Sequence, residues 1–485
     1  MSDAAVLQPG LIDRAWKRVA ALWRDMASTV AGGEAAQEDF TAQMRACLET
    51  RGGEVSARSR AAGLAQAYLG LDEAGQTSFL RALAGFDSDA EVVTRAWERV
   101  AAATDPAERA VAKARLRRAL EPPRMRLLTQ FTTIPDGMKF LVDMRADMLR
   151  RTKDDPLLQA LETDLRGLLA SWFDVGFLEL RRIDWNSPAA LLEKLVQYEA
   201  VHRIRTWRDL KNRLDSDRRC YAFFHPRMPE EPLIFVEVAL VQGLAGSVQR
   251  LLDEKAPVLD AKLADTAIFY SINNCQRGLD GISFGNFLIK RVVSLLSAEL
   301  RNLKSFATLS PIPGFARWLG ERLDAGDDGL LAEEEAAALR TAIPAAPALP
   351  PPGGDVAAPV AETEETPQQT LRRVLARRSW LREEAAVKAL EPVLTRLCAR
   401  YLVTESATAS TKRARDPVAH FHLSNGARVE RLNWRGDTSD KGMRESHGLM
   451  VNYLYDPARI EEYHEDYVGE GKRAAASALR KLART

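Results

Sequence analysis

The sequence predicts an α+β protein: an all-helical N-terminal bundle (residues 1–186), an α/β domain (187–470) and a short basic helix (471–485). Three observations carry that expectation. From Leu11 to about Leu180 apolar residues recur at helical spacing, with no alternating stretch to compete. Strand-like apolar runs begin near Arg219. Residues 267–315 then read as a strand, a glycine-rich turn, a helix and a second strand that ends on Ser310.

In the helical half, Ile12, Trp16, Val19, Trp23 and Met26 form one stripe, and Leu158, Leu161, Leu165 and Leu168 another. Asp155 before Pro156 and Ser187 before Pro188 mark helix starts: the side-chain oxygen takes up free N–H groups, and proline in the first turn loses no bond. The Pro122-Pro123 pair stops a helix. No polar constellation clusters here. The expected role is structure and contact between copies of the chain, with binding of an apolar ligand along the tryptophan stripe as the alternative.

Beyond it, CYAFFHP and PLIFVEVALV are expected as strands on either side of a proline-rich turn from Pro226 to Pro232. The run from Ala267 to Ile272 is short and β-prone, and Ile289, Val292, Val293, Leu296 and Leu300 share one face of the helix that follows. Gly278, Gly281 and Gly285 lie between, where missing side chains let backbone approach a ligand and a helix start turns free N–H groups toward an anion. Residues 341–370, rich in Pro, Ala and Glu, are expected as a loosely held insertion. Helix from Leu371 to Leu402 leads to VAHFHLS and RVERLNW, read as two strands joined by an Asn425-Gly426 hairpin turn, and a last helix is expected from Gly471 to Leu482.

With 485 residues, 46% hydrophobic and 28% charged, the chain is long enough for two or three soluble domains. A net charge of +1, from 68 basic and 67 acidic side chains, gives no field that would recruit nucleic acid or an anionic membrane. The opening MSDAAVLQPG is no signal peptide, and the longest apolar run, near Leu233 to Leu244, is broken by Glu237 and Gln242. Neither secretion nor membrane spanning is expected. Cys47, Cys220, Cys275 and Cys398 match no zinc or redox spacing, and the final Ala-Arg-Thr is no peroxisomal address, so the expected location is the cytoplasm.

Several words then recur in one order: EAVHRIRTWRDLKNRL, RRCYAFFHPRMPEEPLIFVEVAL, LDGISFGNFLIKRVV, TLSPIPGF, FHLSNGARVERLNWRGD and SHGLMVNYLYD. From about Glu199 to Asp456 they closely resemble the malonyl-CoA decarboxylases. The resemblance implies a helical N-terminal domain, a catalytic domain of the GNAT acyltransferase fold, and cleavage of malonyl-CoA to acetyl-CoA and carbon dioxide. It further implies homodimers or tetramers built through the helical domain. By the same resemblance Ser310 is the catalytic serine, His422 the catalytic histidine of the Phe-His-Leu word and Tyr455 a tyrosine near the acyl group. Gly281, Ile282, Ser283, Phe284, Gly285 and Asn286 match the coenzyme A-binding turn. Some relatives carry a carboxylate at Ser283, and this departure transfers no acid or base role to that position.

These residue types suit that chemistry. Loss of carbon dioxide from a malonyl thioester leaves charge that the thioester carbonyl accepts as an enolate. No cofactor or metal is therefore expected, coenzyme A entering as part of the substrate. The protein must supply a pocket, a donor for the oxyanion and a proton for the carbon. Ser310 precedes Pro311, Pro313 and Gly314, a rigid turn that fixes its hydroxyl; the alternative is a serine capping its own turn. His422, expected on a strand with its ring on the face of His420, is the expected proton donor with a pKa near neutrality. The paired histidines also admit a metal, although no acidic or cysteine partner lies at ligand spacing. Tyr455 is expected to orient Ser310 or His422, or else to be a core tyrosine. Asn433, Trp434 and Asp437 are expected in support, and Lys290 and Arg291 as a solvated helix face, with backbone N–H groups preferred for phosphate. A GNAT-type transferase, which needs an acceptor channel and a base for the amine, and a non-catalytic acyl-CoA sensor, which would dispense with Ser310 or His422, are the competing classes.

Overall fold

Aspartate starts most of the helices in the first part of the chain. The computed structural model describes residues 40–49, 53–282, 285–327, 329–343, 365–408 and 411–484. Within them eight helices precede the sheet: Phe40–Leu48, Gly53–Gly70, Glu73–Ala84, Ala90–Ala102, Pro106–Leu120, Pro123–Phe131, Gly137–Leu149 and Pro156–Trp172. Asp72, Asp89, Asp105 and Asp155 each accept backbone N–H groups of the turn they begin. The Pro122-Pro123 pair separates two helices, as expected, with Pro123 opening the second.

Leu158, Leu161, Leu165 and Leu169 are buried, so the stripe continues at Leu169 and not at the expected Leu168, which is only partly buried. Ser187 does not cap: the helix Ala189–Tyr198 begins after Pro188 without a side-chain cap, and the Ser187 hydroxyl accepts the Asp184 N–H. The stripe from Ile12 to Met26 lies outside the described residues.

The sheet has eight strands: β1 (Glu179–Ile183), β2 (Arg218–His225), β3 (Met228–Val241), β4 (Thr266–Asn274), β5 (Ser305–Thr308), β6 (Ser310–Pro311), β7 (Arg428–Asn433) and β8 (Met450–Tyr455). Their order is β1-β2-β3-β4-β5-β8-β6, with β7 on β8. β1 was hidden at the end of the helical pattern. The turn between β2 and β3 is shorter than the expected 226–232, because β3 begins at Met228 and Pro232 already opposes Phe224. Only β4 and β5 run parallel. They are joined over one face of the sheet by the helix Gly285–Glu299, which buries Leu288, Ile289, Val292, Val293 and Leu296.

Two local readings are corrected. The word VAHFHLS is the helix Pro417–Ser424, and Asn425-Gly426 ends it instead of turning a hairpin. Asp416 accepts the N–H groups of Val418 and Ala419 with Pro417 in the first turn, the Asp-Pro start already met at residue 155. Gly426 has φ +80°, and a Cβ there would stand 2.1 Å from the Ile460 carbonyl oxygen, so glycine serves as a helix stop. The terminal helix is also shorter than expected, Ser477–Leu482, since Ala475 bridges to Val429 of β7. Residues 344–364 of the expected insertion lie outside the described residues. Its far end is not loose: Thr366 caps the helix Pro367–Ala376 and Thr370 is buried.

What positions the site is the parting of β4 from β5. They pair from Thr266↔Ser305 to Phe269↔Thr308. Then β6 turns to β8, while β4 continues to Asn274 against β3 alone. A register shift at the same level pairs Val238 with Phe269 and Glu237 with Ser271, leaving Tyr270 as the extra residue of a bulge.

The helical half reaches this region through Gly278. Arg145 donates to the Gly278 carbonyl at 2.6 Å and also binds Glu162, and a Cβ on Gly278 would lie 1.7 Å from the Val142 carbonyl oxygen. Gly278 is thus required by a protein helix and not by a ligand, contrary to expectation. Gly281, with φ +77°, has open space around its Cα. Gly278→Ala should therefore lower the melting temperature markedly, a loss of about 3 kcal/mol or more for a backbone clash in a packed joint. Gly281→Ala should cost only the ~1 kcal/mol of a strained φ. Denaturation of the two variants side by side checks the order.

Candidate active site

A cavity of about 290 Å³ occupies the gap between the parted strands. Phe269, Tyr270, Ser271 and Ile272 of β4 form one wall, Ser310 and Pro311 of β6 another, and Phe421 and His422 reach in from the helix Pro417–Ser424. Val201 closes one side, and among the described residues no lysine or arginine lines the cavity.

Ser310, His422 and Tyr455, far apart in the chain, meet here. The Ser310 hydroxyl lies 3.1 Å from His422 Nε2, and the Tyr455 hydroxyl lies 2.8 Å from Nδ1. His422 sits on a helix and not on the expected strand, so two residues of separation turn His420 away to the Tyr467 hydroxyl at 2.9 Å. The paired-histidine metal reading loses its geometry with that turn. Among the described residues no group of three or more His, Cys, Asp or Glu is disposed to hold a metal.

Burial alone pushes His422 down to about 3, correcting the near-neutral expectation. The ring is neutral at physiological pH, and the hydrogen bonds assign its tautomer. Burial raises Tyr455 well above the ordinary tyrosine value, so its hydroxyl keeps its proton. Its one hydrogen-bond partner among the described residues is Nδ1. Tyr455 therefore donates to Nδ1, Nε2 carries the ring proton and donates to Ser310, and Ser310 donates to Thr308 Oγ1 at 2.8 Å. Every proton points the same way.

Sequence reasoning missed Thr308. It shares a strand face with Ser310 at i and i+2, the signal that was available. Thr308 Oγ1 also accepts the Tyr453 N–H, and the Tyr453 ring stacks on His422 with centroids 4.5 Å apart. Behind it, Asn452 donates to the Thr308 carbonyl and accepts from Asn433, which gives Asn433 its supporting place. Trp434 stacks on Trp380, and Asp437 accepts from Gln249, both away from the reacting groups.

The turn after β4 is described in part. Gly281 and Ile282 form the turn, with Ile282 packed against the core. Ser283 and Phe284 lie outside the described residues, and Gly285 and Asn286 open the helix Gly285–Glu299. Lys290 is engaged by Glu461 at 2.8 Å.

Comparison with known proteins decides what this constellation belongs to. Residues 86–173 match the family model of the malonyl-CoA decarboxylase N-terminal domain, and residues 176–485 match that of the C-terminal domain. The chain belongs to the malonyl-CoA decarboxylase family. It is 36% identical over 416 residues to a mitochondrial malonyl-CoA decarboxylase of Mus musculus, covering 82% of this chain and 80% of that protein. Against the mitochondrial malonyl-CoA decarboxylase of Anser anser anser it is 38% identical over 355 residues, 71% of this chain and 66% of that one. Two solved malonyl-CoA decarboxylases share the fold along their whole length and 92% of this chain. That of Rhodopseudomonas palustris has a TM-score of 0.79 at 41% identity, and that of Agrobacterium vitis 0.80 at 40%. As a malonyl-CoA decarboxylase family member the chain is an enzyme of the carboxy-lyase class.

Three histidines of the chain are held neutral by burial: His202 and His447 are pushed down to about 4, and His422 to about 3. Unfolded, each would titrate near 6.5. As pH falls below that value the unfolded chain gains protons that the folded chain refuses, so stability is complete above about 6.5 and is lost progressively toward pH 4 and below. Melting temperature should decline from pH 6.5 to 5, the three histidines outweighing the opposite contribution of Glu237, whose carboxyl burial pushes up to about 8, and His422→Gln should flatten that decline. Turnover, by contrast, should show no histidine limb between pH 6 and 8.

Proposed function

We propose that the protein converts malonyl-CoA to acetyl-CoA and carbon dioxide through a thioester enolate, in a catalytic domain of GNAT-like fold. The directed chain Tyr455, His422, Ser310, Thr308 in an apolar gap carries this reading. The unpaired edge of β4 beyond Phe269 suits the amide groups of a pantetheine arm laid alongside it as a strand. The start of the helix Gly285–Glu299, next after the turn, suits the pyrophosphate.

Ser310 swings its hydroxyl from Thr308 to the thioester oxygen. The carbon–carboxylate bond then breaks, its electron pair moving into the enolate while carbon dioxide leaves neutral. Ser310 next passes its proton to the carbon as the Nε2 proton moves to Oγ and the Tyr455 proton to Nδ1. No imidazolium forms; the enolate's negative charge ends as a transient Tyr455 phenolate, because the enolate carbon is a stronger base than even a raised tyrosine, and solvent returns the proton once the products leave. A transferase or hydrolase needs Nε2 as an acceptor, to serve as a base, and the tautomer drawn by Tyr455 is the opposite one.

Contact between copies through the helical half is supported by the hairpin of Ala90–Ala102 and Pro106–Leu120, which leaves Trp97 59% and Val111 55% exposed. Four buried, unpaired cysteines support a reducing compartment such as the cytoplasm.

In deuterated water, acetyl-CoA should carry solvent deuterium in its methyl group, after subtraction of exchange in an enzyme-free control. Free coenzyme A rising in step with malonyl-CoA loss, without acetyl-CoA, would sink the proposal. Ser310→Ala should bind coenzyme A and lose about two orders of magnitude in kcat, the typical cost of one proton-transfer or oxyanion group. Thr308→Val should lose about tenfold with the fold intact, and Thr308→Ser should restore it, because only the hydroxyl acceptor is at issue.

A further inference from the structure

Behind the β4 wall lies a carboxylate that the mechanism above does not use. Glu199, 5% exposed, ends the helix Ala189–Tyr198 and accepts only from neutral donors: the N–H groups of Val201 and His202, the Ser271 hydroxyl at 2.7 and 2.9 Å, and Asn273 Nδ2 at 2.8 Å. It has no ion-pair partner among the described residues. Lys441 bonds the carbonyls of Ala200 and Val201, not the carboxylate. Arg213 is taken up by Asp209 and Glu237.

The consequence falls on Ser271, which lines the cavity. Its proton is committed to Glu199, and one lone pair accepts Asn273 Nδ2 at 2.8 Å. What remains for the cavity is one lone pair. Toward the cavity the Ser271 hydroxyl can therefore accept a hydrogen bond but cannot donate one, and the buried Glu199 carboxylate stands directly behind it. The opposite wall presents the Ser310 hydroxyl, backed by the His422 Nε2 proton, as a donor.

We propose that Glu199 is a positioning residue that polarises the cavity along the direction of electron flow, fixing Ser271 so that the wall it backs disfavours the substrate's carboxylate. The inference rests on the decarboxylase reading. In the reaction an electron pair leaves the carboxylate end and moves toward the thioester oxygen, and the departing carbon dioxide is neutral. An acceptor-only hydroxyl at the first end and a donor at the second raise the starting state relative to the transition state, which increases kcat and not affinity.

The test separates binding from turnover. The affinities of S-(2-carboxyethyl)-CoA, which carries the carboxylate but no carbonyl and cannot decarboxylate, and of S-ethyl-CoA are measured by calorimetry in wild type, Glu199→Gln and Ser271→Ala. In both variants the carboxylated analogue should gain about tenfold in affinity relative to S-ethyl-CoA, ~1.4 kcal/mol, while kcat for malonyl-CoA falls and KM does not rise. Ser271→Ala leaves Glu199 its three other donors, so it serves should Glu199→Gln fail to fold. An unchanged affinity ratio in a folded variant, or weaker binding of both analogues alike, overturns the proposal. A wild-type protein that binds both analogues yet leaves malonyl-CoA intact would instead overturn the decarboxylase reading.

Discussion

The structure turns on four residue pairs. β4 and β5 hold together only from Thr266↔Ser305 to Phe269↔Thr308, and then each keeps a different neighbour, β3 for the first and β8, through β6, for the second. A sheet that parts in its middle leaves backbone groups without a ladder, and buried backbone groups must be satisfied by something. On the proposed function that something is the amide arm of the substrate. The bulge at Tyr270 falls just past the last pair, which bends β4 away at the point where Ser310 begins the other lip. The cavity, the placement of Ser310 and the unpaired edge are three consequences of one break in pairing.

A second joint fixes the histidine to the serine across that gap. Asp416 caps the helix Pro417–Ser424 through Val418 and Ala419, and the same carboxylate accepts the Gly314 N–H from the turn that follows Ser310. One buried side chain thus sets the start of the helix bearing His422 against the turn bearing Ser310. Burial raises its pKa, while the hydrogen bonds from Ala419, Gly314, Val418 and Tyr401 pull it back down. A carboxylate held by four donors keeps its place better than a flexible loop would, which is what a 3.1 Å contact between residues 112 positions apart requires.

The sequence made the strands and the crossover helix legible because their periods are unambiguous: β4, the helix Gly285–Glu299 and the strand leading to Ser310 fall where expected. It misled at His422 because Phe-His-Leu alternates like a strand over a span too short to tell, and Asn-Gly suggested a hairpin. The Asp-Pro pair at 416 carried the right answer, and the same pair had been read correctly at 155. Gly278 shows a different limit. Sequence tells that a backbone must come close to something there, not that the something is Val142 of another helix. Thr308 left a local trace, its i, i+2 place on the strand face of Ser310, whereas Glu199 and the tautomer of His422 depend on donors brought together from distant segments, and no local pattern encodes that.

Burial by itself does not explain decarboxylation here. The reactant carboxylate and the enolate both carry one negative charge, so a uniformly apolar pocket would penalise both and change the barrier little. What differs between them is where the charge sits. Among the described residues the cavity has no cation to hold a carboxylate; it has an acceptor-only hydroxyl at Ser271 and a proton-donating chain that ends at Ser310. The neutrality of His422 belongs to the same design. A protonated ring would put a positive charge beside the carboxylate as readily as beside the enolate, steadying the state that has to break. A neutral ring, oriented by Tyr455, keeps a donor at one end without supplying a counter-ion to the other, and burial deep enough to push the imidazole down to about 3 is what maintains it.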